Sequence, residues 1–337
     1  MTAGADRVSL TAALTHTPHL TKSQWRATGL AVRFLIAIRA PVLVMTFASA
    51  ALGGALAWWH GSADGIGWAL CTLGLLLAHA SNNLLNDLTD SLLGIDRGDY
   101  FRTRYGAHVL EHDLMSARGL LGLTALTGAA ALAIGLYLCE RVGPAVLWPL
   151  AAGALLRVCY TYPLKRLGLG ELAVRLVWGP LMTGGAYLVT SHGWHASAAW
   201  VGGVAGLAPT AVILGKHLDK REFDAARGIR TLPVRLGAAR TRATLVAILA
   251  LPYACIAWLA ARGDLPWSAS IVLLALPDTV RAIRAFRRDA PSTRPPDYPA
   301  NVWPLWYAAH AFAGARAIGI LLLAGVAVAA IVHPQPR

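Results

Sequence analysis

In the stretch "SNNLLNDLTDSLLGID", Ser81 to Asp96, three asparagines and three aspartates follow directly on the apolar run "GWALCTLGLLLAHA". On a helix Asn82 and Asn86, Asn83 and Asp87, and Asn86 and Asp90 stand four residues apart and Asp87 and Asp90 three, so they share neighbouring faces of its last turns. Oxygen-only ligands of this kind suit a hard cation such as Mg²⁺, which keeps waters and completes its shell with phosphate oxygens. A second charged patch, "GKHLDKREFDAARGIRTLPVRLG", Gly215 to Gly237, sets Asp219 and Asp224 among Lys216, Lys220 and Arg230. Two acidic clusters surrounded by Arg and Lys describe a site for a metal-bound diphosphate, the charge pattern that a phosphate leaving group requires. A polar loop with helix-capping Asn and Asp accounts for the first patch alone but not for the pair.

Such residues need elements to carry them, and composition says which. Hydrophobic residues make up 56% of the 337 and charged ones 14%, with a mean hydropathy of +0.52. A soluble domain carries about 25% charged residues, so the balance is that of an integral membrane protein. A span needs about 20 apolar residues, which predicts helices at 31–59, 66–88, 119–139, 143–162, 170–190, 197–215, 239–261, 266–286 and 306–332. The chain reads as all-α, a multi-span transmembrane bundle of about nine helices whose acidic cavity faces the cytoplasm under loop caps. A single domain is expected over 31–332, between a poorly ordered cytoplasmic segment at 1–30 and a short tail at 333–337. The eighth span is the weakest, because "WSASIVLLALP" is short and passes into the amphipathic, basic "DTVRAIRAFRR", which also suits the membrane interface.

The net charge of +13 is that of many nucleic-acid binders, but its placement excludes that class. The cations sit in alternate short connections: Arg97, Arg102, Arg104 and Arg118, then Lys165 and Arg166, then Lys216 to Arg235, then Arg287, Arg288 and Arg294. The other connections are nearly bare, which puts the N-terminus and the charged loops in the cytoplasm and the C-terminus outside. The first 25 residues lack a basic region followed by an apolar core, so no cleavable signal peptide is expected. Four well-separated cysteines with no C-x-x-C pair read as packed thiols. Richness in Ala, Arg, Leu and Trp suggests a GC-rich bacterium and hence its cytoplasmic membrane.

"NDLTDSLLGID" resembles the N-D-x-x-D-x-x-x-G-x-D signature of the UbiA superfamily of intramembrane prenyltransferases, in the form used by its 1,4-dihydroxy-2-naphthoate polyprenyltransferase branch. "YTYPLKRLGLGELAVRLVWGPLMTGGAY", Tyr160 to Tyr187, is similar to that branch's middle block, and "GIRTLPVRLG" to the segment after its second aspartate motif. The second motif departs from the family: the usual D-x-x-x-D would occupy 220 and 224, which are Lys220 and Asp224, with Asp219 one residue early.

The resemblance implies Mg²⁺-dependent transfer of a prenyl group from an allylic diphosphate to a small aromatic acceptor, in the setting of membrane lipid and with no obligate protein partner evident. It implies Asn86, Asp87, Asp90 and Asp96 as ligands of one metal, and Asp224, joined by Asp219, at the second patch. Lys220 is expected either to contact the diphosphate directly or merely to pair with Asp224. Asn83, Arg102, Arg104, Lys165, Lys216 and Arg230 are candidates for the substrate. Tyr160, Tyr162 and Trp178 could face a carbocation, although such aromatics in a bundle are more often packing. Asp87, Asp90, Lys220 and Tyr160 are the residues expected to carry the chemistry.

Glu171 orients the acceptor or pairs with Lys165 or Arg166. His108, His112 and His217 match no zinc spacing. The loop "RGDYFRTRYGAHVLEHDLMS" is long enough for a lid that keeps water from the cation, and the glycines of "GLGELAV" and "GPLMTGGAY" permit close helix approach or a groove for an isoprenoid tail. Two rivals remain: a cyclase of the same superfamily, which would ionise the same diphosphate without an acceptor, and a transporter using intramembrane carboxylates.

Overall fold

A computed structural model describes residues 7–62, 64–97, 101–332 and 334, and the side chains of Arg102, Thr103, Thr161 and Tyr162 lie outside the described set. Among the described residues every regular element is helical: α1 (Leu10–Thr15), α2 (Lys22–Ala27), α3 (Leu30–Ala37), α4 (Val44–Trp59), α5 (Gly65–Leu92), α6 (Ala117–Val142), α7 (Leu147–Cys159), α8 (Gly170–Leu176), α9 (Met182–Ser191), α10 (Ala196–Ala205), α11 (Leu207–Asp219), α12 (Arg221–Ala226), α13 (Leu232–Ala261), α14 (Leu276–Phe286) and α15 (Tyr307–Val332). Each of the nine expected apolar segments is built from these helices and short 3₁₀ or π turns. Six helices, Ala40–Trp59, Ala117–Val142, Gly170–Ser191, Ala196–Asp219, Leu232–Ala261 and Tyr307–Val332, are long and apolar enough to cross a membrane.

The doubtful eighth segment is helical along its length but is not among the six helices that are both long and apolar enough to cross a membrane. Trp267–Ala275 is a 3₁₀ helix that leads into α14. The pair runs antiparallel to α15: the Ser268 hydroxyl donates to the Gly325 carbonyl at 2.6 Å, and at the other end the Phe286 and Tyr307 rings stand 6.3 Å apart. Ala269, Val272, Ala275, Thr279, Ala282 and Phe286 form the buried stripe.

Contacts gather the chain into two compact units, Met1–Val44 with Leu76–Leu132 and Ser292–Pro304, and Met45–Leu75 with Ala133–Pro291 and Leu305–Arg337. In the first unit the N-terminal segment, expected to be poorly ordered, forms α1 and α2. A capping box starts α2, with the Gln24 N–H donating to the Thr21 hydroxyl and the Thr21 N–H to Oε1 of Gln24. Trp25 is buried with Ile36, Leu84, Val109 and Leu114. One aromatic anchor and one cap order a segment whose polar composition hid them. Gly106 lies so close to this segment that a Cβ there would stand 2.4 Å from the Thr17 carbonyl oxygen, and the Ala107 N–H donates to the Pro18 carbonyl at 3.0 Å.

The second unit packs α4, α10, α11, α13 and α15 around Leu56, Leu214, Leu245, Leu249 and Leu322. Glycine makes close helix crossings possible. A Cβ on Gly179 would meet the Gly202 carbonyl oxygen at 2.6 Å, and one on Gly215 the Tyr307 backbone at 2.8 Å. Of the two uses open to "GPLMTGGAY", close approach is therefore the one that Gly179 serves. The chain turns there through a π turn at Val177–Leu181, where Pro180 lacks the N–H that a regular helix would bond.

At the start of α5 a carboxylate clamps three helices of this unit. Asp64 accepts from the Gly67 N–H at 2.8 Å, from Arg141 of α6 at 3.1 Å and from His192, just after α9, at 2.8 Å. Desolvation pushes its pKa up, but the Gly67, His192 and Arg141 contacts outweigh it and hold the group at about 2, below the ordinary 3.8. The folded pKa is depressed, so the stabilisation is present above the unfolded value and is lost as pH falls through the folded one. Asp64→Asn is expected to lower the unfolding temperature in detergent at neutral pH, with the gap to wild type narrowing only below about pH 4. Thermal scans from neutral pH downward check this, and a gap that is constant with pH would show that the clamp is not ionic.

Candidate active site

The first motif occupies the last turns of α5. That helix runs to Leu92, and Gly94, at φ 70°, reverses the chain over its end. The Ile95 N–H then donates to the Asp90 carbonyl at 2.8 Å. A left-handed turn of this kind favours glycine, and it folds Asp96 back toward the helix it has just left. Asp87, Asp90 and Asp96 are all buried, as is His108 from the following loop. Asn86 donates its side-chain amide to Oδ2 of Asp90 at 3.2 Å. Nε2 of His108 stands 2.9 Å from Oδ2 of Asp96 and 3.7 Å from Oδ1 of Asp87. Ligand atoms of Asp87, Asp96 and His108 lie within 4.8 Å of one another.

Burying several carboxylates is costly unless cations stand beside them. Arg39 supplies one, paired with Asp87. It does so from a left-handed backbone at φ 56° and ψ 54°, a conformation that costs a non-glycine residue about 1–2 kcal/mol. Asn83 is tied to the same corner, donating to the Ile38 carbonyl at 2.9 Å. The donors are hard carboxylate and amide oxygens with the His108 ring beside them, which fits Mg²⁺ or Mn²⁺. Of the expected ligands, Asp87, Asp90, Asp96 and Asn86 are therefore brought to one helix end. Arg39 and His108 were not among the expected site residues. An arginine inside "RFLIAIRAPV" just before a proline was the signal available for the first, and nothing in the spacing pointed to the second.

Part of the expected lid is packed. Val109 and Leu114 are buried in the first unit's core, and Ser91 is bonded to Glu111 at 2.5 Å. Gly98–Tyr100 and the Arg102 side chain lie outside the described residues, and Arg104 is exposed.

The second motif spans a break between helices. α11 ends at Asp219, Lys220 takes φ −107° and ψ 14°, and α12 begins at Arg221. Lys216, Lys220 and Asp224, which on one continuous helix would share a face, are divided by that break. Asp224 is fully buried, with Lys220 Nζ 2.9 Å from Oδ1 and the Thr231 hydroxyl donating to Oδ2 at 3.3 Å. Asp219 is aimed elsewhere: its two oxygens accept from the Tyr307 and Ala308 N–H groups, at 2.8 and 2.9 Å, at the start of α15. A carboxylate there satisfies donors that a helix N-terminus leaves open, which accounts for Asp219 as an architectural residue and not as a partner of Asp224.

Glu171 pairs with His217, Oε1 to Nδ1 at 2.6 Å, both buried, instead of the expected Lys165 or Arg166. Lys165 is buried, Lys216 half-buried and Arg230 exposed. Tyr160 opens the π turn Tyr160–Leu164, whose Tyr162 side chain lies outside the described set. Trp178 ties the bundle, its indole N–H donating to Thr46 at 3.0 Å while its carbonyl accepts from Ser49 at 2.7 Å. Packing, the commoner use of an aromatic in a bundle, describes these contacts.

The model of the UbiA prenyltransferase family matches residues 46–303. The chain is 29% identical over 233 residues to 1,4-dihydroxy-2-naphthoate octaprenyltransferase of Escherichia coli, covering 66% of this chain and 75% of that one. It is 30% identical over 316 residues to the protein of the same name in Mycobacterium tuberculosis, covering 89% of this chain and 98% of the relative. In fold it is similar to a UbiA homolog from Archaeoglobus fulgidus bound to GPP and Mg²⁺, with a TM-score of 0.59 at 17% identity over 89% of this chain and 99% of the other. It is likewise similar to a UbiA homolog from Aeropyrum pernix, with a TM-score of 0.61 at 17% identity over 85% and 98%. With a matched segment that takes in both charged motifs and an all-helical architecture shared with these solved structures, the chain belongs to the UbiA prenyltransferase family.

Proposed function

We propose that this membrane prenyltransferase moves a prenyl or polyprenyl group from an allylic diphosphate to a carbon of a small aromatic acceptor, releasing diphosphate. The observation that carries this reading is the cluster of buried Asp87, Asp90 and Asp96 with half-buried Asn86 at one helix end, an unusual density of oxygen ligands for a chain so apolar. Relatives named 1,4-dihydroxy-2-naphthoate octaprenyltransferase and 2-carboxy-1,4-naphthoquinone phytyltransferase support a naphthoate-like acceptor.

Asn86, Asp87, Asp90 and Asp96 would hold Mg²⁺, which when bound supplies positive charge to the diphosphate oxygens. The rest falls to the chain. Lys220, whose Nζ stands 2.9 Å from Oδ1 of Asp224, donates to the diphosphate. Arg102, Arg104, Lys165, Lys216 and Arg230 offer further donors, the guanidinium groups being suited to bidentate contacts. As the carbon–oxygen bond breaks, the electron pair leaves with the diphosphate, the allylic carbon becomes cationic and is attacked by the electron-rich ring, and the attacked ring carbon sheds its proton, or a carboxylate as CO₂, to restore aromaticity, so no protein nucleophile is needed. Tyr160 would offer an aromatic face to that cation, and the described part of the loop, Phe101 to Ser116, would keep out water that would capture it as an alcohol. From the arginines and lysines in alternate loops, the N-terminus and both motifs face the cytoplasm and the C-terminus lies outside.

The test is purified protein with Mg²⁺ and a panel of prenyl diphosphates, with and without aromatic acids such as 1,4-dihydroxy-2-naphthoate. Diphosphate release together with a carbon-linked prenyl arene, both dependent on acceptor, is expected. Hydrocarbon formed without acceptor would identify a cyclase, and cation flux in vesicles without diphosphate release a transporter.

A further inference from the structure

We propose that His108 is the positioning residue of the first motif, holding Asp96 in place through an Nε2–H bond without itself becoming a metal ligand. The inference rests on the metal-binding reading of that motif, and it concerns a residue which geometry alone would count among the ligands, since its ring nitrogen lies with Asp87 and Asp96 inside one small cluster.

The second ring nitrogen decides between the two roles. The Glu111 backbone N–H donates to Nδ1 of His108 at 3.3 Å, and the His108 N–H in turn reaches Nδ1 of His112 at 3.2 Å, so the loop curls around the imidazole. A nitrogen that accepts from an N–H carries no proton. With Nδ1 accepting, the ring carries its proton on Nε2, which stands 2.9 Å from Oδ2 of Asp96 and 3.7 Å from Oδ1 of Asp87, so the nearer Asp96 receives it. A histidine that binds metal through Nε2 needs the opposite arrangement, with a proton on Nδ1 directed at a carboxylate or carbonyl. Here that proton would point at the Glu111 N–H. The ring is completely buried, so solvent does not relieve the conflict.

Positioning through Asp96 also explains why the turn at Gly94 suffices. Asp96 follows the end of α5, its N–H standing 3.4 Å from the Asp90 carbonyl. The bond from His108 fixes the carboxylate itself. It also links the helix end to a loop already seated on Thr17 and Pro18, so the aspartate is set before any cation arrives.

The experiment is Mn²⁺ binding to the full chain in detergent, followed by electron paramagnetic resonance, with wild type, His108→Ala, His108→Asn and His108→Gln. The amide nitrogen of glutamine reaches the position of Nε2, whereas that of asparagine corresponds to Nδ1. Ala and Asn are expected to weaken Mn²⁺ about 10–100-fold, the usual effect of losing an outer-shell partner, with Gln recovering most of it. Spin-echo modulation in the wild type should show no directly bound ¹⁴N. A strong ¹⁴N coupling would make His108 a ligand and overturn the proposal. Equal affinity in all four proteins, or equal losses in Asn and Gln, would overturn it too, the latter by showing that the ring only packs. Wild type that binds no Mn²⁺ would remove the metal-site reading and this inference with it, an outcome distinct from the others because no variant is then needed.

Discussion

Asp90→Asn is expected to lower kcat for prenyl transfer about 10²–10³-fold, with only a small change in unfolding temperature. The substitution keeps the shape of the side chain and an oxygen able to accept from Asn86, so the local bond at 3.2 Å can persist. What disappears is one negative charge from a buried ligand set. A correctly placed charge or donor in a dry site supplies about 2.7–4 kcal/mol to a transition state, which is the stated loss. Stopped reactions measuring released diphosphate at saturating prenyl diphosphate and increasing Mg²⁺ separate weaker metal binding from a lower ceiling. Asp113→Asn is the contrast. Its exposed pair with Lys22 lies on the surface, where such pairs contribute about 0–1 kcal/mol, and activity should be unchanged. Wild-type rates in Asp90→Asn would remove the first motif from the chemistry.

The second large effect concerns Lys220. Lys220→Ala leaves Asp224, wholly buried, without the ammonium 2.9 Å away, and breaking such a pair from one side destabilises by about 3–5 kcal/mol. The same variant is expected to bind prenyl diphosphate more weakly, and the two consequences must be separated. In the double variant Lys220→Met with Asp224→Asn no charge is stranded, so much of the stability should return. Diphosphate affinity should not return, because the donor is still absent. Lys220→Asp restores the D-x-x-x-D form of the family and should make the unfolding temperature depend on Mg²⁺, which would neutralise two adjacent carboxylates. Unchanged diphosphate affinity in both Lys220→Ala and Lys220→Asp would leave Lys220 as a partner of Asp224 only.

Much of this protein is legible along the chain, and the reasons are local. Apolar runs of about 20 residues become helices wherever backbone groups must be satisfied without water, and every segment marked in this way is helical. The spacing of Asn86, Asp87 and Asp90 on α5 needed only the helical period. The family's departure at Lys220 was equally visible, and so was the possibility of a pair with Asp224. The eighth segment shows the limit of counting by composition, since its short apolar run forms a 3₁₀ helix laid against α15 and leads into the basic, amphipathic α14.

The sequence by itself determined the membrane class, the helical segments, the two charged motifs and the family, all of which depend on residues near one another in the chain. Tertiary structure alone decided the partners. Arg39 reaches Asp87 only because a strained turn ends α3, His108 reaches Asp96 only because a loop folds over α5, and Asp219 is drawn to the N-terminus of α15. The physical reason is that a buried charge takes whichever partner the packing brings within about 3 Å, and separation along the chain carries no information about that.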